Sequence, residues 1–503
     1  MKHLRTLAVA AAGAIALSAC SSGGPPPVAE TDTITIMAPF FSTAPPERDD
    51  DIELELERII GKKVDINWVP NAGYGDRTNI TLAGSELPHL MVLQGKDPGI
   101  VSNAEAGAFW DLTDRLDRYP NLKTTMPEIQ RAASVNGRVF GVFRARDKMR
   151  ASVLVRKDWL DRLGLAMPRT VEDLYTVAKA FTTQDPDGNG VADTHGLIVP
   201  LWPGQIGTNH PFDIIETWFG AGNRWTERDG QLIPSFMTPE FMQAVAFERR
   251  MASEGLFNPD WVTFDTTNWN EPFFTGKGGM IIDVHSRAQQ VIKLFKEKNP
   301  ADFERFVDVT GNLLGPDGVL RAHPSSGFNG FIAIPKQKVR TEADLDAMLT
   351  ILDRMNSKEA AVLLFNGIEG THFTLKDGRA VSADSKKLSE QTTTWQQLLT
   401  GVTGEQYHQP SWPTPYEQGM WDKRKSIEAS DYEHAVFDPA APYVSKTYTS
   451  KGGQLYPIVT DARIKYVAGQ IDEQGLRDAI ALWRSSGGDQ IIKEINELAR
   501  AGG

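Results

Sequence analysis

Thr33-Ile34-Thr35-Ile36-Met37-Ala38-Pro39 opens the foldable part of this chain with alternating apolar side chains that run into a proline, as a buried strand does at its end. Ile52, Leu56, Ile59 and Ile60 then recur at helical spacing. The acidic stretch from Glu47 to Asp51 suits the positive end of that helix, and Gly61 stops it. Val64-Asp65-Ile66-Asn67-Trp68-Val69 reads as the next strand, a short helical stretch ends near Gly84, and Pro88-His89-Leu90-Met91-Val92-Leu93 reads as a third. The order strand, helix, strand, helix, strand argues for a mostly parallel sheet covered by helices. In such a sheet the loops at the carboxyl ends of the strands form the ligand crevice.

Further along, Thr170 with Asp173 makes a capping box ahead of the apolar face Leu174, Val177, Ala178 and Phe181. Thr238-Pro239 starts a helix that closes near Gly255, and Thr341 with Asp344 opens another over Leu345, Met348, Ile351, Leu352 and Met355. Stripes of Met and Phe at this spacing are core.

Upstream of the first strand, Lys2 and Arg5 precede an uncharged run from Thr6 to Ala16, and Leu17-Ser18-Ala19-Cys20 follows. A basic start, an apolar run too short to span a bilayer and small residues before a cut read as a signal peptide over residues 1–19. Leu-Ser-Ala-Cys is a lipobox, so the mature chain is expected to begin at Cys20 and to carry lipid there; a plain secreted protein is the alternative. At ~0.8 kcal/mol per buried methylene, two or three acyl chains hold a protein on a membrane almost permanently. Residues 20–32, rich in Ser, Gly and Pro, are expected to be a flexible tether.

Cys20 is the sole cysteine among 503 residues, so disulfides and thiolate chemistry are excluded and stability must come from buried area. Lys and Arg total 53 against 65 Asp and Glu, and loss of Lys2 and Arg5 makes the balance −14. With cations scattered among acids there is no basic stripe for nucleic acid. No second apolar stretch approaches the ~20 residues of a membrane span.

One local motif carries metal chemistry. Asp185, Asp187, Asn189 and Asp193 place side-chain oxygens at positions 1, 3, 5 and 9 of a loop with Gly190 at 6 and the Val191 carbonyl at 7. That is the first three quarters of an EF-hand, whose spacing suits the six to eight hard oxygens that calcium takes. An ordinary Asp/Asn/Gly turn that binds nothing is the alternative reading.

Landmarks distributed along the chain carry a resemblance. They are Gly84-Ser85-Glu86-Leu87-Pro88, Val135-Asn136-Gly137-Arg138-Val139-Phe140-Gly141, Val155 through Leu165, Glu254-Gly255-Leu256, Phe274 through Met280, Asn366 through Thr374, and Tyr466-Val467-Ala468-Gly469-Gln470. In this order they resemble the extracellular solute-binding lipoproteins of ABC importers, in the calcium-containing branch of alginate-oligosaccharide binders and LipO-like proteins. The resemblance implies a two-lobed α/β fold of the periplasmic-binding-protein type (type II), with a hinge and an interlobe cleft. It implies discontinuous lobes, at residues 33–146 plus 310–356 and residues 147–309 plus 357–503. It also implies a monomer that binds no nucleic acid, delivers its solute to membrane permease subunits, and faces the extracellular side or periplasm from a lipid anchor. A structural calcium ion at Asp185, Asp187, Asn189, Val191 and Asp193 is implied too. There the sequence departs from pattern: an EF-hand has a bidentate Glu at position 12, where this chain has Gly196, and the alginate-binding relatives have an acid where it has Thr194.

Sugar rings have apolar faces edged with hydroxyls, so their sites combine aromatic surfaces with polar partners. Trp202, Trp218 and Trp225 cluster in a Gly/Pro/Asn-rich region, while Trp269, Trp395, Trp412 and Trp421 lie in irregular stretches. For each, ordinary packing is the competing reading. By correspondence with the cleft segments of the family, Trp269 and Trp412 are the leading candidates. Asn209, Asp283 and Arg144 are the candidate polar partners. The acidic balance does not favour a polyanion, so a neutral oligosaccharide is expected. A peptide or other non-sugar ligand, a sensor, and a surface glycan-degrading enzyme are the alternatives. The last lacks any local signature: no His-Glu-x-x-His, Gly-x-Ser-x-Gly or P-loop is present, and the nine His are scattered.

Overall fold

The computed structural model describes residues 27–501 apart from 29, 43 and 203–205. The signal peptide, Cys20 and the first part of the tether lie outside the described residues. Thr33–Phe40 is the organising strand, pairing in parallel with Lys63–Pro70 on one side and Leu90–Leu93 on the other. The connecting helix Asp51–Ile60 begins where the Asp50 side chain accepts from Glu53 N and ends at Gly61, whose φ of 72° needs a residue without a Cβ. It buries Ile52, Leu56 and Ile60 against the sheet, as the periodicity predicts.

The sheet continues beyond the parallel part. Phe328–Ala333 lies antiparallel between Leu90–Leu93 and Val142–Ala145, so strands far apart in sequence complete it. A second sheet orders Val307–Thr310, Ala151–Arg156, Gly278–Val284 and His195–Leu197. Only its last pair is parallel, and in the first sheet two pairs are parallel and two antiparallel, so the mostly parallel reading holds for the opening strand, helix, strand, helix, strand unit and not beyond it.

Each sheet has its own core, and the cores define two discontinuous lobes joined at the chain crossings. Two crossing segments run side by side as a hinge, where Arg146 N donates to Gly327 O (2.9 Å) and Ser325 N to Lys148 O (2.7 Å). The expected lobe boundaries need correction at two places. Thr310 pairs with Val153 in the second sheet and Leu313 packs in the second core, so the return crossing comes at the hinge near Gly327 rather than at residue 310. Ala360, Leu363, Leu364, Trp395, Leu398 and Val402 pack in the first core, not in the lobe assigned to residues 357–503. The second lobe takes Met420, Ala440 and the later helices, Lys446–Val467, Glu473–Trp483 and Asp489–Ala501.

The end of the tether also departs from expectation. Val28 is buried against the first core and its N–H donates to Asp344 (2.7 Å), while the Thr31 and Asp32 carbonyls accept from Lys62 and from Lys63 N. Asp344, read as a helix-capping residue, serves both Val28 and the Thr341 cap at the start of helix Glu342–Met355.

Candidate functional site

The oxygen-rich loop follows helix Val171–Thr183, whose capping box is formed as expected. Asp185 turns at φ 47° and accepts from Asn189 N and Gly190 N (3.1 and 3.0 Å), Asp187 accepts from Asn189 Nδ2 (2.8 Å), and Asn189 Oδ1 accepts from Val191 N (2.7 Å). Partial burial, then the proximity of Asp185 and Asp193, raises the Asp187 carboxyl above its ordinary range. Asp193 pairs through Oδ2 with Lys277, which lowers its pKa, and its Oδ1 is buried with no partner. Crowded carboxylates and an orphaned oxygen fit a hard cation. The Asp185, Asp187, Asn189 and Asp193 side chains and the Val191 carbonyl would hold it. Thr194 adds nothing to that shell, because its hydroxyl is buried and donates to Phe181 O (2.8 Å). None of these residues lines the large cleft described next, so the chemistry such an ion supplies here is the pinning of a surface turn.

Between the lobes lies a cleft of about 960 Å³. Its first-lobe wall comes from Phe41 just beyond the organising strand, from helix Lys358–Asn366, and from strand Val142–Ala145 as it enters the hinge. Its second-lobe wall is helix Pro415–Tyr432, presenting Trp421, Lys425, Glu428 and Tyr432. Phe41, Phe365 and Tyr432 are exposed aromatics, at 48%, 46% and 37%, and all three line this cleft. Apolar rings left facing water in a concavity are the surface a sugar ring covers.

The polar groups of the cleft are built with care on both walls. A bulge between Phe328 and Phe331, with Gly330 at φ 73°, turns the Asn329 carbonyl onto the Arg144 guanidinium (3.0 Å), which also donates to Gln397 (2.6 Å). Burial, and then the neighbouring Arg146 cation, bring Arg144 down to about 10. Behind the opposite wall the buried Arg424 donates to His285 Nδ1 (3.0 Å), so His285 carries its proton on Nε2, which faces Glu428. Burial, with the Arg424 charge, lowers the His285 pKa against the opposing pull of Glu428. Glu428 stays below its ordinary pKa, since His285 and Lys425 outweigh the opposing effect of burial. Across the cleft mouth the Tyr432 hydroxyl donates to Glu128 of the first lobe (2.7 Å), and Lys148 sits 3.8 Å from the Tyr432 ring centre.

Of the side chains predicted to hold ligand, only Arg144 lines this cleft. Trp218 is fully buried and its indole donates to Asn312 (2.8 Å), and Trp225 is buried at the start of hairpin strand Trp225–Arg228. Trp269, a leading candidate, is fully buried, bonded to Ile198 O, edge-on to Trp202 (6.0 Å) and covered by Arg287 (4.3 Å). Trp202 is half-buried and bonds Thr208 (3.1 Å). Asp283 is buried in an ion pair with Arg287, and Asn209 sits at φ 69° just before the helix Pro211–Phe219. Trp412 stands behind the cleft, packed on Trp421 (5.7 Å, 37°). Arg146, Phe41, Phe365 and Tyr432 line the cleft without being singled out in the sequence, and Trp421, weighed there with the other tryptophans but not among the leading candidates, lines it too. The alternation Arg144, Arg146, Lys148 at a strand end was the available signal. Trp421, read as lying in an irregular stretch, is on the helix Pro415–Tyr432, and the signal for it was Thr414-Pro415, an N-cap and first helical residue.

Two α/β lobes, a hinge and a deep aromatic cleft between them define a protein of the class that closes on a solute. The chain belongs to the bacterial extracellular solute-binding protein family, which it matches over residues 57–334. It is 40% identical over 469 residues to lipoprotein LipO of Bacillus subtilis strain 168, covering 93% of this chain and 92% of LipO. It is 31% identical over 468 residues to the polygalacturonan/rhamnogalacturonan-binding protein YtcQ of the same organism, covering 92% of this chain and 90% of YtcQ. Among solved structures, an EF-hand mutant of the Streptococcus pneumoniae ABC-transporter substrate-binding protein FusA, in complex with fructo-nystose, shares the fold with a TM-score of 0.66. It is 17% identical, with 92% of this chain and 98% of that one covered. The family and the two-lobed fold implied by the landmarks therefore stand.

Proposed function

We propose that this protein captures an oligosaccharide between its lobes, as a monomer, and delivers it unchanged to the membrane permease of an ABC importer. The observation that carries the reading is the interlobe cleft of about 960 Å³ with exposed aromatics on both walls. The names of YtcQ and FusA, both binding proteins for carbohydrate, support it. Binding without chemistry is supported by the state of the carboxylates. Glu428 is held ionised by His285 and Lys425, Asp147 lies 3.5 Å from Lys425, and Glu405 is bonded to Tyr407. A glycosidase acid needs the opposite environment, one that raises its pKa. Only in the closed arrangement do both walls contact one ligand, so the ligand favours closure by that difference in contact.

The finer features belong to the same reading. Lipid on Cys20 keeps the binding lobes beside the permease, and calcium in the loop from Asp185 to Asp193 stiffens the second lobe. An importer has to release its cargo, so a Kd of roughly micromolar, about −8 kcal/mol, is the expected scale. Calorimetry with an oligosaccharide panel, followed by chromatography of the recovered sugar, tests the proposal. Trp421→Ala should weaken binding with the melting curve unchanged, and a panel that does not bind, or a sugar that returns cleaved, refutes it.

A further inference from the structure

A hairpin outside both main sheets joins the lobes beside the cleft. Phe373–Lys376 and Arg379–Ser382 form a two-stranded sheet of their own, closed by Asp377 and Gly378 at φ 51° and 76°. Its foot belongs to the first lobe. His372 Nδ1 accepts from Ile368 N (3.2 Å), so the ring proton lies on Nε2 and goes to Gln391 Oε1 (3.2 Å). Gln391 donates in turn to Asp50 (2.7 Å), the cap of helix Asp51–Ile60, and Ile368 packs against the first core. The second strand of the hairpin reaches the other lobe. Arg379 Nη2 lies 3.0 Å from Asp422 on helix Pro415–Tyr432, whose Met420 packs among Ile281, Val307 and Val309 of the second sheet, and Arg379 Nη1 donates to Pro410 O (3.4 Å). Two more contacts grip the same helix. Lys425 lies 3.5 Å from Asp147 of the hinge, and Tyr432 donates to Glu128 of the first lobe (2.7 Å). Separations of three and seven residues put 422, 425 and 432 on one helix face.

The contact between Arg379 and Asp422 is one that is readily made and broken. Their side chains are 35% and 51% exposed, so each keeps its water when they part, and such a pair is weak. The foot, held by neutral hydrogen bonds and core packing, stays with the first lobe. We infer that the hairpin is an ionic latch between the lobes: Arg379 grips helix Pro415–Tyr432 when the lobes are together and frees it when they part, whatever the solute. The inference rests on the two-lobed fold and not on the identity of the ligand. Closure then depends on ionic strength, since exposed charges act over ~30 Å at 0.01 M salt and over only ~3 Å at 1 M. Added salt should open the lobes. The direction is diagnostic, because salt also screens the repulsion among the surplus acids of the chain, which draws the lobes together instead.

The test measures interlobe distances by double electron–electron resonance on the soluble Cys20→Ser protein without added sugar. Spin labels sit on two introduced cysteines at exposed positions, Ala72→Cys in the first lobe and Glu297→Cys in the second. From about 0.01 M to about 1 M NaCl the ratio of long to short distances should rise. Asp422→Asn should raise that ratio about threefold at low salt, the scale of one exposed ion pair, lessen the salt response and leave the melting curve unchanged. Exchanging the charges, Arg379→Asp with Asp422→Arg, should restore the native ratio and its salt response. Native distances that ignore salt overturn the inference. So does an Asp422→Asn variant with native distances and salt response, or a charge exchange that behaves like the single variant. None of these results touches the sugar-binding reading, which calorimetry decides.

Discussion

Replacing Arg463 by Met should cost more stability than any single exposed charge in this protein, and the structure says why. Arg463 lies on helix Lys446–Val467, which the C-terminal part of the chain returns to the second lobe, and it is 1% exposed. Its Nη1 is 2.7 Å from Asp213 Oδ1 and 2.8 Å from Glu216 Oε1, both on the buried helix Pro211–Phe219. Burial alone would depress the Arg463 pKa, but Glu216, Asp213 and Glu248 together push it above its ordinary range. Without the cation, Asp213 would remain charged and buried, held by Thr208 N (2.8 Å) and His210 N (2.9 Å). Breaking a buried pair from one side costs about 3–5 kcal/mol. Glu216 is already pushed up to about 7 by burial and can take a proton, so the low end, about 3 kcal/mol, applies. At about 2–4 °C per kcal/mol for a lobe of this size, the second-lobe transition should fall by roughly 6–12 °C in differential scanning calorimetry at pH 7.5.

The same cluster sets a pH dependence. In the unfolded chain Glu216 releases its proton near 4.5, whereas in the fold it keeps it to about 7. The folded state therefore binds more protons across that window, and the Glu216 contribution to stability should decline as pH rises from 4.5 towards 7 and then level. Glu216→Gln should remove this part of the slope. A shift below about 2 °C for Arg463→Met, or a slope unchanged in Glu216→Gln, would refute the view that this cluster bolts the C-terminal helices to the lobe.

Chelator should lower the melting temperature by roughly 5–10 °C, the scale for an ion at about a hundred times its Kd, and Asp187→Ala should abolish that sensitivity. A native protein that ignores chelator and contains no calcium by elemental analysis rules the ion out. Tyr432→Phe, which removes the hydrogen bond to Glu128 across the cleft mouth, should weaken ligand binding about fivefold and raise the radius of gyration in X-ray scattering by favouring the open lobes. Unaltered affinity and scattering would mean that this contact does not hold the lobes together. Cys20→Ser should move the protein from the detergent phase to the aqueous phase in partitioning, and a variant that stays with detergent refutes the anchor.

What was legible in the sequence was what the chain specifies over a few turns. The alternation around Ile34 and Ile36, the acidic start of the helix at Asp51, the Thr170 cap and the Gly61 stop each depend on neighbours within about ten residues, and each took the form read from it. The landmarks spread over the chain were enough to establish the family, because their order and separation survive where single residues change.

Which tryptophans meet a ligand could not be read this way. Trp269 and Trp421 both looked irregular in sequence, yet one is sealed between Trp202 and Arg287 and the other stands on the cleft wall. The choice depends on which face of each segment the opposite lobe leaves uncovered. The lobe boundaries near residues 310 and 357 were misjudged for a related reason: Leu313 and Leu364 are equally apolar, and only the assembled sheets decide which core each one fills. The charge of the cleft is likewise a tertiary property. Arg144, Arg146, Lys148 and Lys425 are four cations in sequence, and only the placement of Glu128, Asp147 and Glu428 decides which of them meet a carboxylate and which, like Arg144, do not, because neutralisation acts over a few ångströms and takes no account of sequence distance.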